Sequence, residues 1–179
     1  MWKRGGVNMK SNSKKIMVII LGVLLFLVGC GGSGDKRYQG QVLNFEQELT
    51  KATQQADKIG EQFIVIVDDF KNEKVSKEAA AERLKNLKKD MSRITDKMYA
   101  TKVDDTLPSD IKEKLNDIKD RTAYAYFQKA KVAGHLATYL ESKDQQELRF
   151  IDRNFKNFKE EMEPIKKGLK EVKQAVGIK

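Results

Sequence analysis

The chain has 179 residues, 34% of them charged, with a formal net charge of +9, one cysteine and one histidine. A single cysteine excludes a disulfide within the chain and a zinc site built from cysteines. A single histidine excludes the two Glu-x-x-His ligand pairs of a di-iron helical bundle. We therefore expect no metal and no cofactor.

The first predicted element is a short apolar segment behind basic residues. Three lysines between positions 10 and 15 precede the uncharged stretch 16–28, IMVIILGVLLFLV. Crossing a bilayer takes about 20 apolar residues, whereas a basic stretch before about 7–15 apolar residues is typical of an export signal. Upstream, Lys3-Arg4-Gly5-Gly6 can be encoded by a purine-rich stretch like a ribosome-binding site, which predicts that translation begins at Met9.

The end of this segment resembles the lipobox of bacterial lipoproteins. Leu27-Val28-Gly29-Cys30 places the cysteine after a small residue and directly behind the apolar run. The resemblance implies that the Cys30 sulfur receives a diacylglycerol and that a signal peptidase cleaves between Gly29 and Cys30. The signal peptide would then span 1–29, and the lipidated cysteine with a flexible tether 30–37. The alternative is an uncleaved N-terminal anchor helix with an incidental cysteine.

The resemblance also implies a location and limits the partners. Acyl chains on Cys30 would hold the protein on the extracytoplasmic face of the cell membrane. Five of the 35 basic residues precede Cys30 and no acidic one does, which leaves 30 basic against 26 acidic residues, a net +4. This mild charge is not that of a nucleic-acid binder. An anionic wall polymer, phospholipid headgroups or another envelope protein remain as candidate partners.

The remaining chain, 38–179, is predicted to form one all-α domain. Apolar residues recur at alternating steps of three and four, the spacing of helices that pack lengthwise. The four stripes are Val42, Phe45, Leu49, Ala52, Ala56, Ile59, Phe63, Ile66 and Phe70; Ala80, Leu84, Leu87, Met91, Ile94 and Met98; Ile111, Leu115, Ile118, Thr122, Tyr126, Ala130, Ala133, Ala137 and Leu140; and Leu148, Ile151, Phe155, Phe158, Met162, Ile165, Leu169, Val172 and Val176. Helices of about 25–33 residues with short connections predict an antiparallel up-down-up-down four-helix bundle with coiled-coil-like packing.

Polar breaks separate the predicted helices. Ser76 is the expected N-cap of the second helix, and Pro108 lies near the first position of the third. Asp144 and Glu147 have the spacing of a capping box at the start of the fourth. Pro164 is expected to kink that fourth helix, because proline lacks the backbone N–H that the helix needs.

The third predicted helix contains one extra four-residue step, from Thr122 to Tyr126, which locally unwinds a heptad register. Small and aromatic residues surround this stutter. Either the helix is buried on more than one face, or it leaves room for a ligand. In the second case an apolar or lipid molecule would bind between helices three and four, against Tyr124, Tyr126, Phe127 and Tyr139.

Two groups of basic residues lie on predicted helices. One consists of Lys166, Lys167, Lys170 and Lys173 in the last turns of the fourth helix, where cations complement the helix dipole. The other consists of Lys85, Lys88, Lys89 and Arg93 on the second helix. Each group is either a solvated face or a contact surface for an anionic polymer or lipid. The lone His135 lies outside the predicted seam, which favours a surface or boundary position.

No combination of a nucleophile, a general base and an orienting group can be drawn from these residues, so we expect no enzymatic activity. The leading hypothesis is a membrane-anchored, non-enzymatic interaction module of the cell envelope. The alternative is the ligand-binding lipoprotein described above. The outline also resembles small helical lipoproteins of Gram-positive bacteria that are described as cell-wall binders.

Overall fold

The computed structural model describes residues 35–178, in which a 3-10 turn over Lys36–Tyr38 precedes four helices. These helices are α1 (Gln39–Lys71), α2 (Lys77–Tyr99), α3 (Ser109–Ser142) and α4 (Gln145–Ala175). They pack against one another, and no strand occurs between residues 35 and 178, so the predicted all-α four-helix bundle is confirmed. The predicted signal peptide and Cys30 lie outside the described residues.

The helices begin close to where the polar breaks predict. The Ser76 hydroxyl accepts a hydrogen bond from the Ala79 N–H, 3.1 Å away, as an N-cap does. Asp144 is likewise an N-cap, but its carboxylate accepts from the Gln146 N–H at 2.8 Å and no reciprocal capping box forms. Glu147 is unable to complete the box because its carboxylate contacts His135 on α3 instead.

The apolar stripes form two core clusters, one at each end of the bundle. We call the end where α1 begins and α4 ends the tether end, and the opposite end the far end. The tether-end cluster includes Val42 and Leu49 of α1 and Leu169 of α4. The far-end cluster includes Phe63 of α1 and Leu84 of α2. Every stripe residue of α2 and α3 is buried, which confirms the predicted packing faces of these helices.

The second helix is shorter than predicted, and the segment after it takes over part of its role. α2 has 23 residues, against 33 in α1 and 34 in α3. Beyond its C-terminus, Leu107 is buried and Val103 is half-buried in the tether-end cluster. The 100–108 connection therefore covers the core where further turns of α2 would otherwise lie.

The third helix is the centre of the bundle. α3 packs extensively against both α2 and α4, whereas α1 packs mainly against α2. Around the stutter, Ala123, Ala125, Gln128 and Val132 are buried in addition to the predicted stripe. Of the two alternatives for this helix, burial on more than one face is the one that the structure supports.

Replacing Pro164 with alanine should stabilise the protein. α4 continues unbroken from Gln145 to Ala175 through Pro164, whose side chain is exposed. Proline inside a helix costs about 3 kcal/mol because a backbone hydrogen bond is missing and the ring crowds the preceding turn. We expect a gain of about 1–3 kcal/mol in the free energy of unfolding, measured by urea denaturation. Glu163→Ala is the control at the neighbouring exposed position, and equal stability of the two variants would contradict the prediction.

Candidate functional site

The chain joins the bundle at the tether end through backbone contacts with the end of α4. The Asp35 N–H donates to the Ala175 carbonyl oxygen at 3.2 Å. The Gln39 side-chain amide donates to the carbonyl oxygens of Val176 and Gly177, each at 3.0 Å. Any attachment upstream of Asp35 is therefore connected to the bundle at this end.

The four lysines of α4 do not share one environment. Lys166, Lys167 and Lys170 are exposed. The Lys173 ammonium instead donates to the Glu46 carboxylate of α1 at 3.1 Å, and the two side chains are only 14% and 10% exposed. Three of the four predicted anionic-contact residues thus face solvent, while Lys173 joins α1 to α4.

The four basic residues of α2 differ in their contacts. The Lys85 ammonium contacts the Glu141 carboxylate at 2.6 Å, and Arg93 lies 3.2 Å from Asp90. The aliphatic part of Lys88 crosses α3 at Gly134, close enough that a Cβ there would lie 2.9 Å from Lys88 Cδ. All four residues are exposed, and Lys85 and Lys88 also brace α2 against α3.

The four aromatic residues predicted to line a ligand pocket do not surround a common cavity. Tyr126 is fully buried, and its ring meets Phe158 edge-on at 6.0 Å between centroids. Tyr124 and Phe127 are exposed on the outside of α3. Tyr139 lies thirteen residues beyond Tyr126, about 20 Å along the helix axis. Helix geometry therefore directs these side chains to separate places.

A polar layer that the stripe analysis did not predict crosses the middle of the bundle. Asp57 of α1 accepts hydrogen bonds from the Lys129 ammonium at 2.9 Å and from the Tyr126 hydroxyl at 3.1 Å. The same ammonium lies 4.4 Å from the centroid of the Phe158 ring, a favourable cation–π distance. Lys129 and Tyr126 both belong to α3, so this layer ties α1 to the central helix.

Burial changes the protonation of this layer. Desolvation lowers the pKa of the Lys129 ammonium, and the Asp57 carboxylate opposes part of that change. Desolvation also raises the pKa of the Tyr126 hydroxyl well above its ordinary value, and the Asp57 charge adds to the effect. Each shift favours the neutral form of its group, because burial removes the water that stabilises the charged form. The stutter at Tyr126 was the one sequence signal near this site.

The cavity beside this layer is small. Its volume is about 20 Å³, and its lining consists of Gly60, Phe63, Leu87, Met91, Lys129, Val132 and Phe155. Such a space holds about one water molecule, which is far too little for an acyl chain. A shallower depression of about 330 Å³ lies on the outside of α1 and α2. All four helices line the small cavity, and the larger depression lies away from Tyr126.

His135 is a boundary residue that links two helices. Its Nδ1 atom lies 2.6 Å from the Glu147 carboxylate, and its ring centroid is 5.1 Å from that of Phe150. Both partners belong to α4, so the histidine fastens α3 to the start of α4. The described residues contain no group of three His, Cys, Asp or Glu side chains placed to hold a metal ion.

None of the helices between residues 35 and 178 combines the length and the apolar character needed to span a membrane. No protein-family model, curated protein or solved structure matches the chain.

Proposed function

We propose that this protein is a bacterial lipoprotein whose Cys30 carries a diacylglycerol after removal of residues 1–29. The helical bundle would then stand on the extracytoplasmic face of the cell membrane as a non-enzymatic interaction module. The observation that carries the proposal is the position of Cys30, at the end of a basic and apolar leader and directly before a glycine-rich segment.

The structure supports this arrangement through the place where the tether meets the bundle. Only five residue steps separate Cys30 from Asp35, and they span at most about 18 Å when fully extended. The tether end would therefore lie close to the bilayer surface. The 33 residues of α1 correspond to about 50 Å of helix, so the far end would reach well into the envelope.

A binding role is favoured over catalysis by how the ionisable groups are used. His135 is engaged with Glu147, and Lys129 with Asp57. Both pairs connect helices, and the cavity that Lys129 lines, about 20 Å³, is too small for a substrate. An apolar-ligand carrier has less support, because Tyr126 is fully buried and the cavity near it, about 20 Å³, is too small for an acyl chain.

The exposed lysines of α4 provide a direct test of a polymer-binding role. We expect Lys166→Glu, Lys167→Glu and Lys170→Glu together to weaken binding to purified anionic wall polymer at least about tenfold. Each basic residue near an anionic surface contributes about 1 kcal/mol, and about 1.4 kcal/mol corresponds to a tenfold change. Binding is measured by co-sedimentation at physiological ionic strength.

The matched control reverses three exposed lysines outside both basic groups, Lys51, Lys58 and Lys97. This control has the same net charge as the α4 variant, so it separates a local surface from a general charge effect. Equal retention of the two variants would exclude the α4 lysines as the polymer contact.

A further inference from the structure

Between residues 35 and 178, α1 and α4 contact each other through polar groups only at the tether end. Within residues 35–178, these polar contacts are the Glu46–Lys173 ion pair and the Gln39 hydrogen bonds at the end of α4. Glu46 and Lys173 also show which sides of the two helices face each other. Positions seven residues apart repeat the same side, so these sides can be followed toward the far end.

The α1-facing side of α4 loses its cover toward the far end. Leu148, Phe155, Met162, Leu169 and Val176 follow one another at intervals of seven residues. Leu169 and Val176 are buried, whereas Leu148, Phe155 and Met162 are only half-buried. An unbroken apolar stripe is thus buried in its second part, near the start of α1, and partly uncovered in its first.

α1 shows the matching pattern on its own α4-facing side. Gly60, fourteen residues after Glu46, has no side chain to fill the space, and Ile64 and Val67 beyond it are half-buried. The two partly uncovered apolar stripes lie on either side of the small cavity that Gly60 and Phe155 line. Together they form one lateral face at the far half of the bundle, which we call the α1–α4 face.

The margins of the α1–α4 face carry charges that continue the pattern of the tether end. Glu46 is acidic on α1 and Lys173 is basic on α4. Moving toward the far end by about the same distance on both helices leads from Glu46 to Glu61 and from Lys173 to Lys159. Glu61 and Lys159 therefore lie at the same level of the bundle, again acidic on α1 and basic on α4. Both are exposed, and neither takes part in an ion pair among residues 35–178.

We propose that the α1–α4 face binds the same face of a second copy of this chain, side by side and in parallel. A two-fold axis along the bundle sets α1 of each copy against α4 of the other. The two bundles are parallel, but the helices that meet, α1 of one copy and α4 of the other, run antiparallel. The same two helices run antiparallel within one chain at the tether end. Glu61 of one copy then meets Lys159 of its partner twice, and the half-buried stripes cover each other.

The parallel orientation fits the proposed membrane anchoring, on which it rests, because both tether ends then face one bilayer. The pairing itself does not depend on the anchor. Asp68 and Asp152 are also level with each other near the far end, and like charges that meet across an interface weaken the association of the two copies. A second copy therefore fits as a reversible partner.

Two differently tagged full-length chains, expressed together and extracted from membranes with mild detergent, test this proposal. We expect one tag to recover the other for the wild-type pair. Recovery should fall at least about fivefold for Glu61→Lys with itself and for Lys159→Glu with itself, since each places like charges together twice. Mixing the two variants should restore recovery, because every contact is then complementary.

Restoration by mixing is the decisive outcome. If Glu61 acted on Lys159 of its own chain, a second chain with the opposite substitution would not restore recovery. Glu82→Lys and Lys89→Glu on α2 are matched controls at exposed positions and should leave recovery unchanged. Absence of wild-type recovery, or single variants that behave like the wild type, would overturn the proposal. Failure of anchoring is distinguishable, since it changes the acylation of Cys30 and not the recovery of one tag by the other.

Discussion

Replacing Asp57 with alanine should destabilise the bundle by about 3 kcal/mol at pH 7, because the Lys129 ammonium would be buried without a counter-charge. Lys129 keeps only 5% of its side chain exposed, whereas Asp57 keeps 20%. The change also removes the acceptor of the Tyr126 hydroxyl. Breaking a buried ion pair costs about 3–5 kcal/mol, and the partial exposure of Asp57 sets the lower end.

The second substitution of the pair should reverse most of this loss. Asp57→Ala with Lys129→Met leaves no buried charge, and methionine fills a similar volume, so we expect the double variant to recover more than half of the stability. Urea unfolding curves give the free energies. Asp68→Ala, at an exposed position of the same helix, is the control and should change stability by less than about 0.5 kcal/mol. A double variant as unstable as Asp57→Ala would contradict the charge-burial explanation.

The loss caused by Asp57→Ala should also shrink as the pH rises. Burial already lowers the pKa of Lys129, and Asp57 supplies the two influences that raise it. Without Asp57, the folded pKa lies still further below the unfolded value of about 10.4. Between these two pKa values the unfolded Asp57→Ala variant binds more protons than the folded variant, so the stability of the variant rises with pH. A loss at pH 9.5 equal to that at pH 7 would show that Lys129 is not its cause.

The helices were predictable because their pattern depends on local properties. Steps of three and four place apolar side chains on one face of any helix, so the stripes of α2 and α3 identify their buried sides. Ser76 and Asp144 cap helices through contacts within three residues of each other in the sequence. Glu147 has the right spacing for a capping box, but its carboxylate finds a partner on another helix.

The central polar layer was not predictable, because it depends on which helices meet. Asp57 follows the stripe residue Ala56, and Lys129 precedes the stripe residue Ala130. A heptad pattern assigns such flanking charges to solvent, yet both here lie where a neighbouring helix covers them. In the same way, sequence spacing alone does not show that Lys173, unlike Lys170, points at Glu46.

Replacing Cys30 with serine should abolish lipid attachment, the largest functional effect that we expect. A hydroxyl does not replace the thiol as the acceptor of the diacylglycerol, and attachment would then depend on the thirteen apolar residues 16–28. That stretch is short of the roughly 20 residues of a stable span. Incorporation of a labelled fatty acid should fall to background. Ser33→Ala, three residues downstream, is the control and should keep full labelling.

The intact mass of the wild-type protein extracted from membranes tests the central claim most directly. We predict a chain that begins at Cys30, lacks residues 1–29 and is heavier than its amino-acid sequence by a diacylglycerol group with its acyl chains. A membrane-bound chain that still carries the apolar stretch 16–28 and has no lipid on Cys30 would contradict the claim.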